Sequence, residues 1–353
     1  MRVLLHTPLK PPDHPVPSGD RQMARGFARL LSRLGHRVVM PDLARIAPGV
    51  PALESHLAWE RRARVQAGHL IARWRRLPAH HPERFDVWFT YHCYYRKPDW
   101  LGPLVTRALR LPYVMAEASH APRRAYGATR LGHRSVERAL ASVDLVLTVN
   151  PRDAAGVKMR LRPGARQVEL PPFIDTRPFV SVRTVPARNE VPVLLAVGMM
   201  RRRDKLESYR VLAQALGLLG ERRWKAILVG DGPARPEIES LMAPFGARVE
   251  FAGALNASAL AAIYASADLY VWPAINEAYG MAFLEAQAAG LPVVAGRTGG
   301  VPAVVADGLT GLLTPVGDAR AFAAAVARLL DDPGERARLA AHAPVRIAAR
   351  HSD

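Results

Sequence analysis

The sequence predicts an α/β protein built from two doubly wound domains. Three observations predict it. Short apolar runs of strand length recur along the whole chain, amphipathic stretches separate them, and the series breaks near residue 180 and then starts again. A chain of 353 residues is long enough to bury two separate cores. The division is therefore expected as residues 1–180 and 181–353.

In the first half, Arg2 to Thr7 reads as a strand and Asp20 to Leu34 as a helix closed by Gly35. Arg37 to Pro41, Val87 to Tyr91, Tyr113 to Ala116 and Leu145 to Asn150 follow as strands. The stretch from Val180 to Glu190 reads as a linker. Beyond it, Val191 to Gly198, Lys225 to Gly230, Val249 to Gly253, Leu269 to Pro273 and Val293 to Gly296 form the second series. Strands that alternate with helices imply parallel sheets, whose ligands sit at the carboxyl ends of the strands.

Composition narrows the class. The content of 49% hydrophobic and 23% charged residues is that of a globular chain. Cys93 is the only cysteine, so no internal disulfide is possible. The apolar run at the N-terminus is too short for a signal peptide, and none reaches the roughly 20 residues of a spanning helix. A cytoplasmic protein is expected. Residues 1–180 hold 30 Arg and Lys against 14 Asp and Glu, or +16, which leaves +2 of the total +18 for the remainder. Such asymmetry suits an anionic partner. The stretch His56 to Leu77 places Leu70, Ile71 and Trp74 beside six arginines, as an interfacial helix would, so peripheral contact with an anionic membrane is one expectation. The other is an ordinary surface helix with Trp59 and Trp74 packed inward. No helix-turn-helix or zinc pattern accompanies the charge, so nucleic acid is not an expected partner.

The chemistry gathers between Tyr270 and Gly300. A strand, a short loop, a helix from about Tyr279 to Ala289 and a second strand follow one another there. Glu277 stands in the loop, and Glu285 is the single charge on an otherwise apolar helix, where it should face a partner or a ligand. Gly280 allows close backbone approach, and the N–H groups of Tyr279, Gly280 and Met281 offer an anion site. A helix start suits phosphate while carboxylates suit hydroxyls, so a ligand that carries both, a nucleotide sugar, uses both halves of the loop.

Glu277 and Glu285, with Tyr279-Gly280-Met281 between them and Glu-Ala-x-Ala-x-Gly-x-Pro-Val-Val behind, resemble the E-x7-E signature of the family 4 (group 1) glycosyltransferases. Further matches run from about Arg2 to Pro333. The resemblance implies the GT-B architecture, two Rossmann-like domains facing an interdomain cleft, and retaining transfer of a sugar from a nucleotide-sugar donor to an acceptor hydroxyl. The acceptor would be a glycan, a lipid-linked molecule or a small molecule. It further implies that Glu277 contacts the donor sugar, that Glu285 contacts the ribose, and that an Arg and a Lys after the strand ending at Gly198 hold the diphosphate. Lys205 is the Lys; Arg201 is the first choice for the Arg and Arg203 the second.

The family often carries a His after the strand equivalent to Tyr113 to Ala116. His120 takes that role if its loop is shifted by two residues, with His92 as the alternative active-site histidine and Glu117 as a candidate acceptor contact. Gly19, in the loop Lys10 to Asp20, stands where family members carry a glycine-containing turn facing donor phosphate and acceptor. The chain has no Asp-x-Asp and no His/Cys cluster with ligand spacing, so neither metal nor cofactor is expected, the nucleotide sugar being a substrate. Ala303 departs from the usual Glu. The chain stops at Asp353, without the family's helices crossing back onto the first domain, so reduced interdomain support is expected. The competing expectation is a non-catalytic binder of nucleotide sugar or membrane on the same fold.

Overall fold

The computed structural model describes residues 1–16, 18–40, 43, 53–180 and 189–353, with side chains in the 53–76 helix described from His56 onward. The chain forms two compact units, Met1–Pro171 and Pro172–Asp353. The division lies nine residues before the expected 180/181 boundary. Residues 172–180 belong with the second unit because Ile174 bridges to Ser352, the His351 ring bonds the Pro172 carbonyl at 2.7 Å, and Phe179 packs edge-on against Tyr264. Most of the expected linker, residues 181–188, lies outside the described residues.

The first unit contains β1 (Arg2–His6), α1 (Gly19–Arg33), β2 (Arg37–Val39), α2 (Leu53–Arg76), β3 (Val87–Cys93), α3 (Gly102–Leu109), β4 (Tyr113–Ala118), α4 (Arg130–Leu140), β5 (Leu145–Thr148), α5 (Pro151–Lys158) and β6 (Arg166–Glu169). Its six described strands are all parallel, in the order β2-β1-β3-β4-β5-β6. Strand order therefore reverses between β1 and β3. Leu4, Trp88, Tyr113, Met115 and Val146 centre the core, as expected of strands covered by helices. Buried Asp99 secures the β3–α3 corner by accepting from Trp88 Nε1 at 3.1 Å, Tyr113 Oη at 2.7 Å and the amides of Leu101 and Gly102.

The second unit contains α6 (Arg177–Val180), β7 (Val193–Val197), α7 (Asp204–Gly217), β8 (Lys225–Val229), α8 (Arg235–Met242), β9 (Val249–Gly253), α9 (Ala257–Ser266), β10 (Leu269–Trp272), α10 (Met281–Ala288), β11 (Val293–Gly296), α11 (Val301–Val304), β12 (Gly311–Thr314), α12 (Ala319–Asp331) and α13 (Pro333–Arg350). Its parallel sheet runs β12-β11-β10-β7-β8-β9, the dinucleotide-fold order, with the reversal between β7 and β10.

Every strand expected from an apolar run is present. The two that the sequence reading did not include, β6 and β12, lie at sheet edges. The β6 residues Arg-Gln-Val-Glu are largely exposed and show no apolar run, while β12 is four residues opened by a glycine. Helix α2 decides which way its apolar stripe faces. Leu70, Ile71 and Trp74 pack against the core, and Trp74 Nε1 bonds the Phe85 carbonyl at 3.0 Å while Arg84 stacks on its ring. The apolar face points inward, and Arg61, Arg62, Arg64, Arg73, Arg75 and Arg76 remain outside. No helix among the described residues is long and apolar enough to cross a membrane.

Candidate functional site

In the second unit the switch point between β7 and β10 brings two loops together. After β7 the chain runs close to the turn after β8: a Cβ on Gly230 would lie 2.0 Å from the Gly198 carbonyl oxygen, so only glycine permits this approach. Arg201 follows, exposed, its guanidinium without a partner among the described residues. Lys205 lies in the first turn of α7. Its Nζ donates to Glu277 Oε2 at 2.5 Å, Trp272 Nε1 stands 3.4 Å from the same oxygen, and the ammonium sits 5.3 Å from the centre of the Trp272 ring. The two residues assigned to diphosphate and sugar are thus already partners, and buried Trp272 joins them.

The loop carrying Glu277 is held in an unusual shape. Ala274 and Asn276 both have positive φ, 59° and 53°, a conformation that disfavours a Cβ. The start of α7 holds it there. The Ile275 amide donates to Ser208 Oγ at 3.0 Å, and Asn276 Nδ2 donates to Asp204 Oδ2 at 2.8 Å. A Cβ on Gly299 would meet the Glu277 carbonyl at 1.8 Å, so the loop after β11 also presses on this backbone.

Gly280 occupies the cap position of α10 with φ 72°, and a Cβ there would stand 2.5 Å from the Phe283 ring. It offers no side-chain cap; the Phe283 amide bonds the Gly280 carbonyl at 3.0 Å, and the amides of Met281 and Ala282 precede the first intrahelical bond. Tyr279 and Met281 are buried on either side of it. Helix α10 is buried on nearly every side, Glu285 and Gln287 included, as its otherwise apolar sequence implies. Glu285 is consequently 5% exposed, and it accepts from Tyr264 Oη at 2.9 Å. Burial first, and then the Glu285 charge, push the Tyr264 hydroxyl well above its usual pKa, so it stays a donor.

The first unit's switch point gathers different residues. Ser18 caps α1 by accepting from the Arg21 amide, and Gly19 opens the helix. Asp20 then brings a carboxylate of the chain itself to this helix start. Its Oδ1 lies 3.2 Å from Nδ1 of His92, which leaves β3 with φ 65°, and Glu117, with φ 55° at the end of β4, lies 3.9 Å from the same nitrogen. Burial opposes a charged His92, but the Glu117 charge, the contact with Asp20 and the charge of Asp153 outweigh it and raise the imidazole to about 9. For Asp20, too, burial opposes ionisation, yet His92 and then Lys10 hold the carboxyl below its usual range. The result is an acid-rich cluster with His92, favoured in its charged form, at its centre.

His120 is not part of that cluster. Its side chain is fully enclosed, with Nε2 3.2 Å from Glu137 Oε1 and its ring centre 4.9 Å from that of His133. Burial holds the His133 imidazole below its ordinary pKa, against the opposing charge of Glu137. The structure thus unites Lys205 and Glu277, sets Gly280 beside them, leaves Arg201 exposed on the same loop, and separates His120 into a cluster of its own. Sequence reasoning missed Trp272, Asp20 and Asp153 as neighbours of the candidate residues. A signal existed for Asp20, an acid in the first helical turn after β1; none existed for Trp272, which reads as an ordinary strand residue.

Two doubly wound parallel sheets with switch-point sites define a GT-B protein. A family model described as Glycosyl transferases group 1 matches residues 191–332, within the second unit. The chain is 38% identical over 167 residues to a D-inositol 3-phosphate glycosyltransferase of Corynebacterium urealyticum, covering 44% of this chain and 39% of that protein. It is 32% identical to the alpha-D-kanosaminyltransferase of Streptomyces kanamyceticus, covering 60% of this chain and 57% of the other. The matches thus span from about two fifths to under two thirds of the length of these relatives. Among solved structures, a sucrose-phosphate synthase from Thermosynechococcus elongatus aligns with a TM-score of 0.73 at 21% identity, covering 99% and 95% of the two chains. An Anabaena protein solved with UDP-glucose aligns with a TM-score of 0.66 at 16% identity, covering 100% and 96%. These likenesses show the fold.

Proposed function

We propose that the chain is a glycosyltransferase that moves a sugar from a nucleotide-sugar donor to an acceptor hydroxyl. One observation carries the reading: the Lys205–Glu277 pair stands beside the uncapped start of α10 at the second unit's switch point. Cation, amides and carboxylate there complement the diphosphate and the hydroxyls of one ligand. In the reaction the acceptor oxygen bonds to the anomeric carbon while the bond from that carbon to the diphosphate oxygen breaks, and the acceptor's hydroxyl proton passes to the departing diphosphate. Negative charge builds on the departing diphosphate, where Arg201, Lys205 and the amides of Tyr279, Gly280 and Met281 stabilise it. Glu277 orients the sugar, and Glu285 lies on the ribose side. Retention of configuration follows the family. The sequence around the site contains no second carboxylate assigned to covalent attack. The nucleotide sugar is a substrate, and the reading needs no separate cofactor. A uridine diphosphate sugar is the first donor to try, given the UDP-glucose bound by the Anabaena protein.

Acceptor recognition falls to the first unit. His92, Asp20 and Glu117 supply acceptors and one charged donor, a set suited to a hydroxyl-rich glycan, lipid-linked sugar or small polyol. His92 replaces His120 in this role because only His92 stands at the switch point. The six outward arginines of α2 favour peripheral attachment to an anionic membrane, now by charge alone. Sedimentation with and without anionic vesicles tests that attachment, and it fails if neutral and anionic vesicles carry down equal amounts.

Thermal unfolding against a panel of nucleotides and nucleotide sugars tests the donor site, followed by assay of nucleotide release with candidate acceptors. Ligand at about 100 times its dissociation constant should add roughly 2.7 kcal/mol to the folded state. Stabilisation of the wild type but not of Lys205→Ala supports the reading. An unmoved transition with every nucleotide at millimolar concentration would sink it. Binding without release for any acceptor would favour a non-catalytic binder.

A further inference from the structure

The cluster that encloses His120 has its own chemistry. His133 and Glu137 stand four residues apart on α4, on one face of the helix, and His120 arrives from the segment after β4. The His120 and His133 Nε2 atoms lie 3.2 and 3.5 Å from a single oxygen, Glu137 Oε1, and the three donor atoms lie within 4.8 Å of one another. We propose that His120, His133 and Glu137 form a binding site for a divalent transition metal of the zinc class.

The distances carry the argument. Zinc bonds to imidazole nitrogen and carboxylate oxygen are each about 2.0–2.2 Å, so two ligand atoms on a tetrahedral ion stand about 3.3 Å apart. The two measured distances straddle that edge. Two imidazoles and one carboxylate are ligands that zinc and its neighbours accept, with a fourth position left for water. The histidines are buried, whereas Glu137 is partly exposed and gives an ion a way in.

One group competes for the position. Arg160 Nε lies 3.2 Å from Glu137 Oε1 and 3.3 Å from His120 Nε2, so a guanidinium now faces the atoms a metal ion would bind. The Arg160 side chain is about half exposed and can turn outward into solvent. The ion would tie the segment after β4 to α4 and so brace the first unit. It lies among residues that the donor chemistry does not use, and it stands or falls apart from the proposed transfer.

The experiment uses the full chain freed of metal with a chelator. Cobalt(II) is added while the visible spectrum is followed, and zinc then displaces it. One equivalent should give the strong d–d bands of a tetrahedral site, and zinc should raise the unfolding temperature. Glu137→Gln and His133→Gln should each weaken cobalt binding by about tenfold or more, whereas Arg160→Gln should tighten it several-fold because the competing cation is gone. The chain has 12 histidines, so binding that persists unchanged in both ligand variants would place the metal elsewhere and overturn the proposal. No d–d band at micromolar cobalt, or weaker binding in Arg160→Gln, would overturn it as well. If either ligand variant fails to fold, the wild-type spectrum and the Arg160→Gln titration still decide.

Discussion

The two switch points use the same topological position for opposite electrostatics. Between β7 and β10 the chain places exposed Arg201, Lys205 paired with Glu277, and the start of α10, which lacks a side-chain cap. Between β1 and β3 it sets Asp20, with Glu117 and Asp153 nearby, around one imidazolium, His92. The contrast runs against the chain's charge as a whole. The half that carries +16 of the +18 net charge builds the acid-rich site, and the nearly neutral half builds the cationic one. Bulk charge reports on the outer faces of helices such as α2, while the charge of a site depends on the few residues at the strand ends.

The largest expected effect breaks the cationic side of this comparison. Lys205→Ala should lower nucleotide release from the donor by about a hundredfold or more, the scale of removing one preorganised electrostatic contact. Steady-state assay at saturating donor checks it, and an unchanged kcat would remove Lys205 from the leaving-group site.

The acid-rich side is sharpened by setting its histidine against the enclosed one. His92→Asn should cost about tenfold or more in kcat/KM for the acceptor, whereas His120→Asn should alter it only about twofold. The opposite ranking would return His120 to the reacting centre.

The raised pKa of His92 makes the same comparison visible in stability. A histidine whose folded pKa exceeds its unfolded value near 6.5 contributes stability that is complete below about pH 6.5 and is lost as pH rises through about 9. Chemical denaturation of the wild type should show a loss approaching about 3 kcal/mol across that window, and His92→Gln should flatten the slope. Equal slopes in both proteins would show that His92 is not held charged.

The smallest effect concerns the strained loop. Ala274→Gly removes the Cβ at a positive φ and should stabilise the second unit by up to about 1 kcal/mol. A clear loss of stability would mean that the Ala274 methyl contributes more by packing than its backbone conformation costs.

Much of the architecture was legible beforehand because apolar runs such as those of β3, β7 and β11 are a one-dimensional record of burial. The edge strands β6 and β12 were not: β6 is largely exposed and shows no apolar run, while β12, though mostly buried, is only four residues long and opens on a glycine. Glu285 stands out in the sequence as a charge on an apolar helix, and its Tyr264 partner comes from a separate helix that no spacing announces. The orientation of the α2 stripe stayed open because periodicity identifies an apolar stripe and does not say which surface it meets.

The sequence by itself determined the alternation of strands and helices, the E-x7-E loop, the glycines at close approaches and the lopsided charge. Each of these is local or follows from counting. Only the tertiary structure decided that Lys205 pairs with Glu277 across 72 residues, that His92 rather than His120 stands at a switch point, and that His120 meets His133 and Glu137. Those outcomes depend on strand order, which brings together side chains far apart in the chain, and strand order is settled by how whole helices and sheets bury one another.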